Sequence, residues 1–516
     1  MSFARRVGYR HPAHLLVALV CACDAPSERV ETWLLAPAAD RAPAVWGMEP
    51  PIALEREAPL PPPSGELTLD EAQRRALRAN PDIHAAVARL ESAFARIGES
   101  QAAYYPNLSL TGNWSRTFLS PSLVGRITPP INPLPFLPFS PTQDTLNFAS
   151  ILSALSRPLL QTGGLGGGDS NGFSQNSFTF TATWTLFDGF VRRARLLATR
   201  ANYSASKYER ANVERLISSA VNAAYHQTQL GREQLRVAMA DEAFSREQLS
   251  ETEKMVRAGT AARDDVLNFQ VRVLAAQAQV TASTGVRDMG RVLLAELLAL
   301  PDVHWPEGLE VAALTEEQPE DLVEPEVGAW TERAIENRAD LKAADYRLKS
   351  ASENIRLARG QFSPTLNLSG SYGFEKRSTF ELSEDDQTAA GGLEMRWQIF
   401  TGGFRTSQLR RAEAERREAA AQLERTRNAV LSEVQRAIIG LKDAQQQVAL
   451  QRLTLEAATE NRRIVQAQYV AGRATLVRLN EAQRDYVQAD ANLATARIRL
   501  RQAWSDLNTS AGSNDQ

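Results

Sequence analysis

Cysteine is almost missing from this chain. Its 516 residues hold only Cys21 and Cys23, both near the N-terminus, so everything after them lacks a disulfide and a thiol nucleophile. The five histidines, His11, His14, His84, His226 and His304, are scattered without metal-ligand or haem-attachment spacing, and no cofactor is expected. A net charge of −3 offers no basic excess for nucleic acid. The one glycine run, from Gly163 to Gly168, has no Lys-Ser/Thr after it and follows no strand, which removes a phosphate loop. No paired carboxylates stand out as acid and base, so an enzyme is not expected. After the N-terminal segment, no stretch reaches the roughly 18 apolar residues of a membrane helix. A mature chain that enters a bilayer must then do so through strands.

The N-terminus is a targeting segment. Arg5, Arg6 and Arg10 precede the run Leu15-Leu16-Val17-Ala18-Leu19-Val20, too short to span a bilayer and suited to a signal peptide over residues 1–23. Val20-Cys21-Ala22-Cys23 resembles a bacterial lipobox, which would place lipidation on Cys23; an ordinary signal peptide cut after Ala22 or Ala25 is the alternative. Residues 24–66 form a Pro-rich leader, read as a tether.

The body is a tandem duplication. Ala76-Leu77 with Asp82-Ile83 recurs as Ala334-Ile335 with Asp340-Leu341, and Tyr105-Pro106-Asn107-Leu108 recurs as Ser363-Pro364-Thr365-Leu366, both at an offset of 258 residues. Trp184-Thr185-Leu186-Phe187 recurs as Trp397-Gln398-Ile399-Phe400, and Gly259, Val266 and Gln270 recur as Gly472, Leu479 and Gln483, at an offset of 213. The first repeat, 67–300, therefore carries about 45 extra residues between its two strand-like segments, and a Pro-containing connector, 301–327, leads to the second repeat, 328–508, and the tail 509–516.

Each repeat holds a pair of alternating segments, 105–118 with 176–188 and 363–375 with 391–401. Leu108, Leu110, Gly112 and Trp114 alternate with Asn107, Ser109, Thr111 and Asn113; Phe178, Phe180, Ala182 and Trp184 alternate with Thr179, Thr181 and Thr183. Leu366, Leu368, Gly370 and Tyr372, and then Leu393, Met395, Trp397 and Ile399, repeat the pattern. Period-two alternation predicts strands with one apolar and one polar face. Each has the length of a tilted membrane strand, and Trp114, Trp184, Tyr372 and Trp397 fall on the apolar face, as a membrane girdle requires. A soluble sandwich with one solvated face would alternate in the same way. In lipid, four strands cannot close, because barrels need about eight or more; a membrane reading forces several chains to share one barrel.

Proline is absent between Pro158 and Pro301 and again after Pro364. The intervening stretches are rich in Ala, Arg, Glu, Gln and Leu, which predicts two helical hairpins, 191–298 and 405–508, whose first arms run about 66 residues, roughly 100 Å. Helices of that length need partners throughout. Val430, Val434, Ile438, Leu441 and Val448 form a one-sided stripe. Each long arm ends at a glycine suited to a helix C-cap, Gly259 or Gly472.

These elements together resemble the TolC-like outer-membrane factors, the outer membrane efflux proteins of tripartite pumps and type I secretion systems. The markers are Ala76-Leu77-Arg78-Ala79-Asn80-Pro81-Asp82-Ile83 and its second-repeat counterpart, Leu186-Phe187-Asp188-Gly189, Ile399-Phe400-Thr401-Gly402-Gly403, and the tips Arg257-Ala258-Gly259-Thr260 and Tyr469-Val470-Ala471-Gly472. The resemblance implies a mixed α/β membrane protein: a homotrimer sharing a 12-stranded β-barrel in outer-membrane lipid, continuous with a long α-helical barrel in the periplasm, two tandem repeats per chain. It implies a passive exit duct whose partners are a periplasmic adaptor and an inner-membrane transporter. Adaptor docking then falls to Arg257, Gly259, Thr260, Gly472, Arg473 and Thr475, and the periplasmic gate to Asp264, Asp265, Arg478 and Glu481. Arg478 stands where family members often carry aspartate, which suggests a pair with Asp264 or Asp265 of a neighbouring hairpin. A trimeric coiled-coil surface scaffold without a conduit would account for the helices, but not for the Trp-bearing strand pairs.

Overall fold

The computed structural model describes residues 63, 65–118, 172–259, 262–377 and 386–512. The signal peptide with Cys23, most of the leader, the 119–171 segment and Thr260 lie outside the described residues. The chain divides into two compact units: a helical one, up to Ala102, Phe190–Gln361 and from Phe400 on, and a strand one, Ala103–Gly189 and Phe362–Ile399.

The helical unit opens with β1 (Glu66–Leu67), α1 (Leu69–Ala79) and α2 (Pro81–Ala102). Thr68 caps α1 by accepting from the Glu71 amide at 3.3 Å, and Asp70 and Glu71 sit where the helix dipole favours acid. Then come α3 (Val191–Arg257), α4 (Arg263–Leu297), β4 (Glu310–Val311), α5 (Val327–Asn337), α6 (Ala339–Gly360), α7 (Phe404–Val470) and α8 (Leu476–Ser510). The long arms α3 and α7 are each 67 residues. The stripe Val430, Val434, Ile438, Leu441 and Val448 is buried, facing Leu493, Leu500 and Leu507 of α8. Helices α3 and α4 approach so closely that a Cβ on Gly231 would stand 2.7 Å from the Arg287 Cα, which accounts for the glycine.

Where the leader meets the first repeat, β1 pairs in parallel with β4 in the middle of the connector, and Leu67, Leu309 and Val311 are core residues beside Val221, Tyr225 and Leu294. The Tyr225 hydroxyl donates to the Leu67 carbonyl at 3.0 Å and accepts from the Ala312 amide at 3.2 Å. Two residues per strand give no readable alternation, so only the core around them fixes these strands.

A single residue separates α1 from α2 and α5 from α6. Asn80 precedes Pro81, which excludes helical backbone there; Arg338, its partner at the 258 offset, adopts the same extended conformation. Both are buried. The Asn80 Nδ2 donates to the Leu297 carbonyl at 3.1 Å and the Arg338 Nη1 to the Ser510 carbonyl at 3.1 Å, so each ties its helix break to the end of its own repeat's returning helix. Arg338 also pairs with Asp340 at 2.7 Å and Glu433 at 2.9 Å. Burial works against the charged Asp340, but the hydrogen bond and charge of Arg338 outweigh it and hold its carboxyl below the usual range.

Truncating Arg338→Ala strands Asp340 and Glu433, and the expected loss is about 3 kcal/mol. Asn80→Ala removes two hydrogen bonds, the one to the Leu297 carbonyl and one that the side-chain oxygen accepts from the Asp82 amide at 2.9 Å, and is expected to cost about 1–2 kcal/mol; denaturant unfolding of the two variants gives the comparison. His226 supplies a pH test. It is buried, its Nδ1 donates to Gln229 Oε1 at 3.3 Å, and desolvation lowers its pKa to about 4. The unfolded chain therefore takes up this proton first, and stability falls as the pH drops from roughly 6.5 towards 4. His226→Gln is expected to flatten that part of the stability–pH curve.

Candidate functional site

The strand unit is one antiparallel sheet in the order β2 (Asn107–Phe118), β3 (Gly172–Phe187), β5 (Thr365–Arg377), β6 (Gln387–Arg396). Register makes its two faces unlike. Leu110, Phe180, Tyr372 and Ala389 are successive cross-strand partners, and so are Ser109, Thr181, Ser371 and Ala390. The apolar face is open: Leu108, Trp114 and Met395 are 67%, 60% and 69% exposed. A bulge at Leu186 interrupts the pairing of β3 with β5. The outer edges of β2 and β6 have no strand partner among the described residues.

The girdle aromatics are not level. Trp184 lies at the end of β3 that leads to α3, and Trp114 near the far end of β2; Tyr372 is midway along β5, its hydroxyl donating to Gln387 Oε1 at 3.3 Å. The strand expected over 391–401 instead starts at Gln387 and stops at Arg396, leaving Trp397 and Ile399 beyond it. The ladder ends there because Arg396 pairs with Thr365, the first residue of β5, and Pro364 before it has no N–H to offer. The Trp397 indole donates to the Phe362 carbonyl at 3.1 Å, as the Trp184 indole donates to the Tyr104 carbonyl at 2.9 Å, at corresponding positions offset by 213 and 258.

At the hairpin tips, Gly259 and Gly472 adopt φ of +77° and +69°, the left-handed region that favours glycine. The Arg473 amide bonds the Gln468 carbonyl at 2.8 Å and the Gly472 amide the Tyr469 carbonyl at 2.9 Å, a Schellman closure. Thr475 is the N-cap of α8 and accepts from the Arg478 amide at 3.4 Å, so its hydroxyl is engaged in starting the helix. Arg257, Arg473, Asp264, Arg478 and Glu481 are exposed and Asp265 is half-buried. Among the described residues, no ion pair joins Asp264, Asp265, Arg478 or Glu481 within the chain.

Polar groups absent from the sequence reading join the two hairpins above the tips. Gln483, fully buried, donates to Asp241 Oδ1 at 2.9 Å; Arg272 stands 3.6 Å from the same oxygen and donates to the Asn480 carbonyl at 3.4 Å. Arg236 pairs with Asp490 at 3.2 Å. Below these bonds Val465, Leu479 and Ala482 form a small core with Phe244 and Tyr469 against it. The recurrence of Gln270 as Gln483 was the one signal in the sequence, but Gln270 is exposed, so the copies play different parts.

The family model for outer membrane efflux proteins matches residues 73–299 and 330–513. The chain is 26% identical over 467 residues to the protein CyaE of Bordetella pertussis, covering 88% of each. It is 26% identical over 343 residues to the pyoverdine export outer membrane protein OpmQ of Pseudomonas putida, covering 65% of this chain and 71% of that one. The crystal structure of the outer membrane protein VceC from Vibrio cholerae superposes with a TM-score of 0.68 at 19% identity, covering 86% of this chain and 96% of VceC, a likeness of fold.

Replacing Asp241 with Ala leaves the buried Gln483 amide without its acceptor and Arg272 without its carboxylate. A loss of about 1–3 kcal/mol is expected, together with faster proteolysis at the tips. Unchanged tip proteolysis would mean that these bonds do not hold the hairpins together.

Proposed function

This chain belongs to the outer membrane efflux protein family and serves as an outer-membrane export channel, and from that premise we propose that three copies build one duct through the outer membrane and into the periplasm. The observation that carries this reading is the four-stranded sheet, with its apolar face exposed and neither edge paired with a strand among the described residues. Bare backbone groups are not tolerated in hydrocarbon, so β2 of one chain pairs with β6 of the next. Strand count alone asks for two or more chains; the family resemblance sets three, giving 12 strands.

The helices support the same closure. On α4, Val286, Met289 and Leu293 are exposed in a stripe, as are Ile439, Leu450 and Leu453 on α7, at a similar remove from the hairpin tips. Stripes on different elements suit a head-to-tail contact that repeats around a ring. In this reading Trp114, Trp184 and Trp397 sit at the membrane interfaces, and Cys23 carries the lipid. The tips around Gly259 and Gly472 receive a periplasmic adaptor, and an inner-membrane transporter supplies energy.

Arg478 of one chain then faces Asp264 or Asp265 of its neighbour and holds the aperture closed, with Glu481 beside it. In planar bilayers the full-length protein is expected to conduct, and Arg478→Ala to raise its conductance or open probability. Unchanged gating in the variant would remove the lock, and a water-soluble, non-conducting rod would contradict the duct itself.

A further inference from the structure

Helices α6 and α7 border a groove of roughly 440 Å³ lined by Arg356, Arg359, Arg416 and Arg417, with Glu413 and Ser352 between them. Positive charge there is under-compensated. Arg356 bonds Glu353 of its own helix at 2.8 Å, and Arg359 reaches Glu413 only at 4.0 Å. The Arg416 Nε donates to the neutral Ser352 hydroxyl at 3.4 Å. Arg417 has no hydrogen bond or ion pair among the described residues. Two carboxylates thus answer four guanidinium groups, and guanidinium does not shed its proton to relieve the repulsion. A site of this kind is completed by an anion.

Position around the helix says which side the groove occupies. At about 100° per residue, Glu413 and Arg417 lie about 180° and 220° around α7 from Phe404. Buried Arg405 and Ala412, roughly 80–100° from Phe404, mark the seam with α6. Phe404 is exposed, and so is Phe400 just before it, where the chain arrives from β6. In the duct reading the exposed aromatic side chains where α7 begins face outward, as girdle aromatics do. Glu413 and Arg417 then point inward, with Arg416, about 120° from Phe404, between them and the seam.

We propose that this groove faces the lumen of the assembled duct and that its three copies form a cationic collar favouring anionic solutes. The proposal rests on the trimeric duct reading above and adds the charge class of what passes. Low-dielectric walls focus the field of such a collar, and salt screens it over about 10 Å at 0.1 M.

Reversal potentials in planar bilayers under a KCl gradient test it. The unaltered protein is expected to prefer anions. The exposed pair Arg416→Gln/Arg417→Gln is expected to shift the anion-to-cation permeability ratio towards cations by about two- to fivefold, more at low salt. Arg411→Gln/Arg425→Gln removes equal charge from the Phe404 side and is expected to leave the ratio unchanged. Cation preference in the unaltered protein, or equal shifts from both pairs, would overturn the proposal. So would a groove variant that keeps its selectivity but loses retention on vesicles containing anionic phospholipid, since that result puts the groove on the lipid side. If the unaltered protein fails to conduct, the duct reading itself fails; binding of a fluorescent pyrene trisulfonate to detergent-purified protein then decides for the groove separately, and equal affinity in both variants would overturn it.

Discussion

A peptide group in hydrocarbon has no water to bond, so an open sheet edge there costs several kcal/mol for each bare N–H or C=O. That constraint governs this molecule. The sheet offers an apolar face fit for lipid, yet β2 and β6 each end it with a row that has no strand partner among the described residues. In the duct we propose, a closed ring of copies satisfies those rows, and the exposed stripes on α4 and α7 give the helices a contact that can repeat from chain to chain. A feature that would be an aggregation hazard in a soluble monomer becomes an interface.

The two halves are fastened alike. Asn80 and Arg338 do one job twice: each breaks a helix pair and fastens the break to a carbonyl at the end of the returning helix. Trp184 and Trp397 likewise repeat one indole-to-carbonyl bond. The halves differ in detail. Arg338 carries a charge where Asn80 carries an amide, with Asp340 and Glu433 as its partners, and at the tips Gln483, but not Gln270, is a buried donor. Divergence also provides asymmetry, since a ring of six identical half-units would need no distinction between contacts within and between chains.

Much of this was legible in the residues. Alternation located the four long strands, missing proline and helix-forming composition located the two 67-residue arms, and the valine stripe on α7 is buried as its spacing requires. Other parts were not. Period-two patterning carried the last strand through Trp397, because alternation in one strand does not show where its partner's ladder begins, here at Thr365 after Pro364. Strands β1 and β4 are too short to leave a pattern. At the tips the charged residues are plain in the sequence, whereas the bonds joining the hairpins, Gln483 to Asp241 and Arg272 to Asn480, link residues more than 200 positions apart. Long-range polar pairing leaves no local signature.

Closure by a fixed number of copies is the claim on which the account stands. Native mass spectrometry of the full-length protein released from detergent micelles counts those copies directly. The account predicts a single assembly of three chains that persists on dilution. A monomer, a dimer, or an open-ended ladder of sizes would contradict it.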